Sequence, residues 1–323
     1  MSEGPLIHAI KMDGHGGGAP LEWGHLDVPV TGGEFTWIHL NRTSRDARRW
    51  LARDAGLDPI VVDALLADET RPRCTEYEGG LLLNLRGVNL NPESDRDAML
   101  SIRLWVTPQR VISARRYPLL AIRDCYQAVE QGTGPTTPGM LVARLADDLM
   151  VRMGTAISDL EDDLDRMEED VLDEQKARMR GDLANLRRKA ITFRRHVAPQ
   201  RDALARLASL DTPLLHQRER NRVREVYDSV SRQVENLDEV RERATVIQEE
   251  LTTRLTDMVN QKLYVLSVAA AIFLPLNLLA GMLGMNVAGL PGMTSPWAFT
   301  IVTLLIIAVG VLEYGFMRWK KWI

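Results

Sequence analysis

The sequence predicts an α+β cytoplasmic domain followed by long helices and a two-helix transmembrane hairpin. Three observations carry this reading. Apolar residues alternate along short runs in the first part of the chain; from Gly139 to Asn286 nearly everything keeps a helical period; and charge fills the chain up to Lys262, then falls to Glu313 alone between Leu263 and Met317. With 323 residues there is room for a sizeable soluble part and a membrane part. A net charge of -4 and a pI near 5.9 give no basis for nucleic-acid binding.

Strand-like runs are Leu6 to Ile10, Phe35 to Leu40, Gly80 to Val88, Leu100 to Val106 and Arg110 to Ala114, several with Ile, Val, Trp or Leu on alternate positions. Helix starts lie between them. Thr43 or Ser44 caps a run ending near Ala55, Asp58 precedes a first-turn Pro59, and Pro118 to Glu130 reads as a further helix. The glycine-rich Asp13 to Gly18 has no following Lys-Ser/Thr on a helix, so a hairpin loop is expected rather than a phosphate cradle. Cys74 and Cys125 fall in no metal-ligand spacing, and Met1 to Gly18 lacks the charged-then-apolar pattern of a signal peptide. The soluble part is therefore expected in the cytoplasm, with reduced thiols.

The breaker-rich Gly132 to Gly139 marks an internal boundary and supplies Thr137 and Pro138 to start the next helix. That helix, Leu141 to about Glu174, carries Leu160, Leu164, Met167 and Val171 at helical spacing beside a dense acidic set from Asp159 to Glu174. Its successor, about Met179 to Val197, is basic through Arg187, Arg188, Lys189, Arg194 and Arg195. An antiparallel hairpin is expected, its acidic arm either solvated and partnered by the basic arm or serving to collect cations.

Pro213 is expected to open the last soluble helix, and no proline or glycine interrupts it until Pro275 and Gly281. At about 1.5 Å per residue this rod is on the order of 100 Å long, so it is expected to run from the cytoplasm through the membrane. Steps of seven give Val223, Val230, Leu237, Ala244, Leu251, Met258, Val265, Ile272 and Leu279, all apolar. Such a seam predicts packing against other helices, here other copies of the rod.

The opposite line reads Asn277, Ala270, Leu263, Thr256, Glu249, Glu242, Glu235 and Asp228, and beside it run Gly281, Leu274, Ser267, Asn260 and Thr253. An amide inside the bilayer is costly unless it meets water or a partner, so this face is expected to line a cation path with carboxylates on its cytoplasmic side. For the carboxylates an ordinary solvated face stands as the alternative. The second apolar run, Trp297 to Met317, follows the loop Val287 to Ser295, and Gly284-Met285-Asn286 lies at the tip between the runs. Arg254 and Lys262 precede the first span, and Arg318, Lys320 and Lys321 follow the second. By the positive-inside bias both termini are cytoplasmic and the tip faces out. Glu313 is expected to snorkel or to pair with Arg318. Two spans cannot enclose a water-filled hole, so a path requires a homo-oligomer.

Pro275, Ala280-Gly281, Gly284-Met285-Asn286 at the end of a very long helix, a second span and a basic-aromatic end together resemble the CorA-type divalent-cation transporters. The loop Asn286 to Gly292, the run Glu69-Thr70-Arg71-Pro72-Arg73 and the strand Leu85-Arg86-Gly87-Val88-Asn89 look more like the ZntB zinc-transporter branch than the magnesium channels. The resemblance covers essentially the whole chain. It implies a CorA-like funnel-shaped homopentamer in the inner (plasma) membrane, with one axial pore lined by the first span. Carried over by position, Asn260, Leu263, Leu274, Asn277, Gly281 and Gly284 line the pore together with Ser267 and Ala270, and Asn286 and nearby carbonyls meet the hydrated ion. The implied segments are 1–135, the α/β domain; 136–212, the helical hairpin; 213–262, the stalk; 263–286, the first span; 287–295, the outer loop; 296–317, the second span; and 318–323, the tail.

The implied cargo is a divalent cation, zinc first, with no resident cofactor. Asn277 stands where the magnesium branch often has Thr, and the outer loop is neutral where that branch has acidic character. No Cys or His occurs from Leu263 onward, so direct zinc ligation in the span is not expected, and a largely hydrated ion is. Proton coupling is left open. The alternatives are a magnesium, cobalt or nickel channel and, from another class, a membrane-anchored coiled-coil scaffold or sensor. No nucleophile-base pair or nucleotide motif argues for an enzyme.

Overall fold

The computed structural model describes residues 4–89, 99–170, 176–285 and 295–320, without the side chains of 170 and 176–178. The chain divides into two compact units, Met1–Gln248 and Glu249–Ile323.

The first unit is built on one seven-stranded sheet. The expected strands form β1 (Leu6–Met12), β3 (Phe35–Asn41), β5 (Gly80–Val88), β6 (Met99–Val106) and β7 (Arg110–Arg115), and two more, β2 (Gly18–Pro20) and β4 (Arg73–Tyr77), complete the order β2-β1-β3-β7-β6-β5-β4. All pairings are antiparallel except β3 with β7. The two strands that sequence reasoning missed are the two edges. Gly-Ala-Pro and Arg-Cys-Thr-Glu-Tyr carry little of the apolar alternation that a strand buried on one face requires, because edges are blunted by proline, charge and shortness.

The glycine-rich Asp13 to Gly18 is a hairpin turn between β1 and β2, in which Asp13 Oδ1 accepts from the backbone N–H groups of His15 at 2.7 Å and Gly17 at 3.0 Å. The helices α1 (Arg45–Arg53) and α2 (Pro59–Leu66) cover one face of the sheet, packing Leu51, Val61 and Leu65 on Ile38, Leu82, Trp105 and Ile112. Asp58 caps α2 as expected, accepting from Ile60 N at 2.7 Å. The helices α3 (Leu120–Glu130) and α4 (Pro138–Asp170) lie on the other face, where Gly87 of β5 lets Leu149 approach: an added Cβ would stand 2.6 Å from Leu149 Cδ2.

Two helix boundaries differ from expectation. The basic helix α5 spans Lys176–Ser209 and passes straight through Pro199 instead of ending near Val197. A mid-helix proline removes one backbone hydrogen bond; here the next residue, Gln200, is fully buried and anchors the helix to β5 and α4. The long helix α6 spans Gln217–Leu283 and starts after Pro213, which sits in the preceding turn. Its start is set by a capping box, with Glu219 Oε2 accepting from His216 N at 2.5 Å.

The apolar seam of α6 is also assigned differently. Val223, Val230, Leu237 and Ala244 are fully buried within this one chain, so along the first unit the seam is an interface with the chain's own helices rather than with further copies. A second line three residues along, Val226, Val240 and Ile247, is buried with it. The helices α4 and α6 run parallel, tied by Arg222 to Asp147 at 2.5 Å and by Arg243 to Asp165 at 2.6 Å and to Glu168. α5 runs antiparallel to both, with Arg194 on Asp238 at 2.5 Å and Arg187 on Gln248 at 3.4 Å. Asp165 and Glu168 of the acidic arm are thus partnered by α6, and Arg194 of the basic arm is partnered by α6 as well. The expectation that the two arms neutralise each other is corrected for these residues.

In the second unit the chain packs α7 (Ala298–Trp319) against the upper part of α6. An added Cβ at Gly310 would stand 3.6 Å from Leu276 Cδ1. The facing stripes are partly buried: Val268, Ile272, Pro275, Leu276 and Leu279 on α6, and Val302, Ile306, Val309, Gly310 and Glu313 on α7. Ile272 and Leu279 of the seam therefore also face the chain's own second span.

Candidate functional site

The face of α6 opposite the seam stays open. Asp228, Glu235, Glu242 and Glu249 are all exposed, and none of the four has an ion pair among the described residues. Their neighbours on the same helix are spent elsewhere: Asp238 on Arg194 and Arg241, Glu250 on Arg254. The four carboxylates lie one heptad apart, and the same step continues through Thr256, Leu263, Ala270 and Asn277 to Gly284. Each of these is exposed, Gly284 included.

The adjacent line, Asn260, Ser267, Leu274 and Gly281, is likewise exposed, with Leu274 at 75% of its full surface. Asn260, Leu263, Ser267, Ala270, Leu274, Asn277, Gly281 and Gly284 thus all fall outside the stripe that α7 covers. The cause is local: Val268, Ile272, Pro275 and Leu279 recur at three- and four-residue spacing, which turns the polar and small residues to the other side. Pro275 lies inside α6 without ending it.

At its end α6 is closed by Gly284, whose N–H donates to the Ala280 carbonyl at 2.9 Å. A Cβ there would stand 3.1 Å from that same carbonyl oxygen, so glycine keeps the final turn tight, while Gly281 faces open space. Met285 is exposed. Asn286 and the loop to Thr294 lie outside the described residues. The chain resumes at Ser295, where the N–H of Ala298 donates to the Ser295 carbonyl at 3.2 Å, just before α7.

Glu313 does not pair with Arg318. It lies in the α7 stripe that faces α6, where its Oε2 is buried and has no hydrogen-bond partner among the described residues.

No three of His, Cys, Asp and Glu side chains converge on a metal-binding geometry among the described residues. The buried histidine His39 is fully engaged: its Nδ1 lies 2.8 Å from Ser113 Oγ, and its Nε2 accepts from Arg115 Nε at 3.1 Å. Burial, followed by the Arg115 and His8 charges, holds its pKa well below the ordinary value, so it is a neutral structural group. Burial likewise pushes both Cys74 and Cys125 up to about 12, which leaves two inert thiols.

Residues 32–318 match the family described as "CorA-like Mg2+ transporter protein". The zinc transport protein ZntB of Pectobacterium carotovorum subsp. carotovorum is 35% identical over 318 residues, which cover 98% of this chain and 96% of that protein. The divalent cation transporter CmaX of Pseudomonas aeruginosa is 36% identical over 321 residues, covering 98% and 97%. The solved structure of full-length CmaX superimposes with a TM-score of 0.88 at 35% identity, over 100% of this chain and 99% of that one.

Proposed function

The chain belongs to the CorA family of metal-ion transporters, and from that premise we propose that it carries divalent cations, zinc first, across the inner membrane along the open face of α6. The observation that carries the reading is the side on which α6 holds its amides. Asn260 and Asn277 are exposed while the stripe between them packs on α7. In lipid such amides require water or a partner. Copies of the chain arranged around this face supply both, and by resemblance the assembly is a homopentamer. Because the seam is used within the chain from Val223 to Ala244 and at Ile272 and Leu279, the flanks of the open face make the contacts between copies.

In this reading the ion enters at Gly284-Met285-Asn286, passes Gly281, Asn277, Leu274, Ala270, Ser267, Leu263 and Asn260, and meets carboxylate rings from Glu249, Glu242, Glu235 and Asp228. The span offers amides, small residues and carbonyls but no thiolate or imidazole, so the ion crosses with water in its coordination shell. Both termini are cytoplasmic, in keeping with Arg254 and Lys262 before the first span and Arg318 and Lys320 after the second. The names of the relatives support zinc or a wider set of divalent ions.

The test is flux into liposomes containing the purified protein, measured separately for zinc, magnesium, cobalt and nickel, with and without a proton gradient. Zinc flux is expected, and Asn277→Leu and Asn286→Ala are each expected to abolish most of it while the oligomer stays intact. Should no ion move under any gradient, the transport reading fails. Should magnesium, cobalt or nickel move and zinc not, the cargo is corrected.

A further inference from the structure

The buried side of α6 carries a device that nothing above requires. Among its seam positions from Glu219 to Leu251, the polar residues are Glu219 and Gln233, two heptads apart, each more than nine-tenths buried. Each is bonded to α4 or to the residue that caps it. Glu219 Oε1 accepts from Thr137 Oγ1, which in turn accepts from Met140 N at 3.0 Å and so caps α4. Gln233 Nε2 donates to the backbone carbonyl of Met150 at 2.9 Å.

Each of the two also faces a glycine of α4. A Cβ at Gly139 would stand 2.8 Å from Glu219 Oε2, and a Cβ at Gly154 would stand 3.1 Å from Gln233 Nε2. Gly154 lies in the interior of a helix, where glycine costs about 1 kcal/mol relative to alanine. Its presence is accounted for by the close approach that lets an amide reach a helix carbonyl. The two polar groups and the two glycines are spaced at nearly the same interval along parallel helices, so they fit in one register only. Shifting α6 by a turn puts both polar groups against apolar neighbours with their bonds unmade.

We propose that Gln233 on Gly154, with Glu219 on Gly139, is a register lock that fixes the height and rotation of α6 against α4. An apolar heptad seam repeats itself and tolerates slippage, whereas a polar residue at one seam position specifies alignment at a cost in stability. In the transporter reading, on which this step rests, α6 is the helix that lines the path, and Gln233 is then a positioning residue for transport although it never meets the ion.

The experiment uses the full chain in lipid nanodiscs and liposomes. Nitroxide labels go on Val151→Cys of α4 and Glu239→Cys of α6, both exposed, while the native Cys74 and Cys125 are buried. The parent is expected to give one narrow distance. Adding Gln233→Leu is expected to broaden it or add a second distance, to keep or raise the unfolding temperature because the seam becomes apolar from Val223 to Leu251, and to lower the initial flux severalfold. Gly154→Ala, which challenges the same contact from α4, is expected to shift the distance. A single unchanged distance in both variants overturns the lock, whatever the flux. Failure of the transport reading looks different: the parent itself moves no cation, and the distances still decide the register.

Discussion

Gln200 of α5 pairs its side-chain amide with both backbone polar groups of Arg86 on β5. Its Oε1 accepts from Arg86 N at 2.6 Å and its Nε2 donates to Arg86 O at 3.0 Å. The pairing of β4 along β5 ends at Arg73 opposite Asn84, so Arg86 lies beyond the reach of that edge strand and Gln200 takes the place of a strand partner. The same Nε2 also lies 3.1 Å from Met150 Sδ, which joins sheet, α4 and α5 at one point.

Gln200→Leu is therefore expected to destabilise the first unit. The leucine fills the space but leaves a buried N–H and a buried C=O unpaired, each worth about 1–3 kcal/mol. Chemical unfolding followed by tryptophan fluorescence measures the loss. A variant as stable as the parent shows that water replaces the amide at no cost.

What the sequence made legible follows the strength of the physical signal. Strands β1, β3, β5, β6 and β7 were readable because burial imposes alternation, and α2 was readable from Asp58-Pro59. The polar line of α6 stands out in the sequence because Asn277 and Asn260 contradict their apolar surroundings. The destination of the seam was not. Val223, Val230 and Leu237 state that something covers them, and one line of apolar residues does not distinguish the chain's own α4 and α5 from another copy. Gln200, Gln233 and Gly154 were invisible for the opposite reason: a lone amide or glycine in a helix carries no period, and only its buried partner gives it meaning.

His196 of α5 is expected to make the first unit acid-sensitive. Burial first, then the Arg86, Arg195 and Arg71 cations, lower its pKa from 6.5 to about 4. A depressed value means that the folded state prefers the neutral ring, so the contribution is fully present above about 6.5 and is lost as the pH falls toward 4. His196→Gln cannot take up the proton. The parent's unfolding temperature is expected to drop more steeply than the variant's across that window and to match it near neutrality. Parallel curves count against a half-buried neutral His196.

The carboxylate line of α6 has a salt signature. Glu242 and Glu249 are exposed and without ion pairs among the described residues, so their field is free to act on a passing cation. Changing both, Glu242→Gln with Glu249→Gln, is expected to lower divalent flux at low ionic strength. The difference closes as salt rises, because screening shortens the reach of a charge to about 10 Å at 0.1 M. Equal flux in parent and variant at low salt returns the pair to an ordinary solvated helix face.

Glu313 is expected to be a stability cost. Its Oε2 is buried on the α6-facing stripe of α7 with no donor among the described residues, and the facing stripe of α6 is apolar through Val268, Ile272 and Leu276. A polar atom there loses its hydration and recovers nothing, a penalty of about 1–3 kcal/mol. Glu313→Met keeps the length of the side chain and supplies dispersion contacts to the same stripe. The variant is expected to unfold at a higher temperature in detergent and to transport as the parent does, because Glu313 faces α6 on the side away from Asn277. A lower unfolding temperature means that Glu313 has a partner which Met cannot replace. A raised temperature with lost flux assigns the carboxylate to transport instead, which places a second polar group along the ion's route on the opposite side of α6.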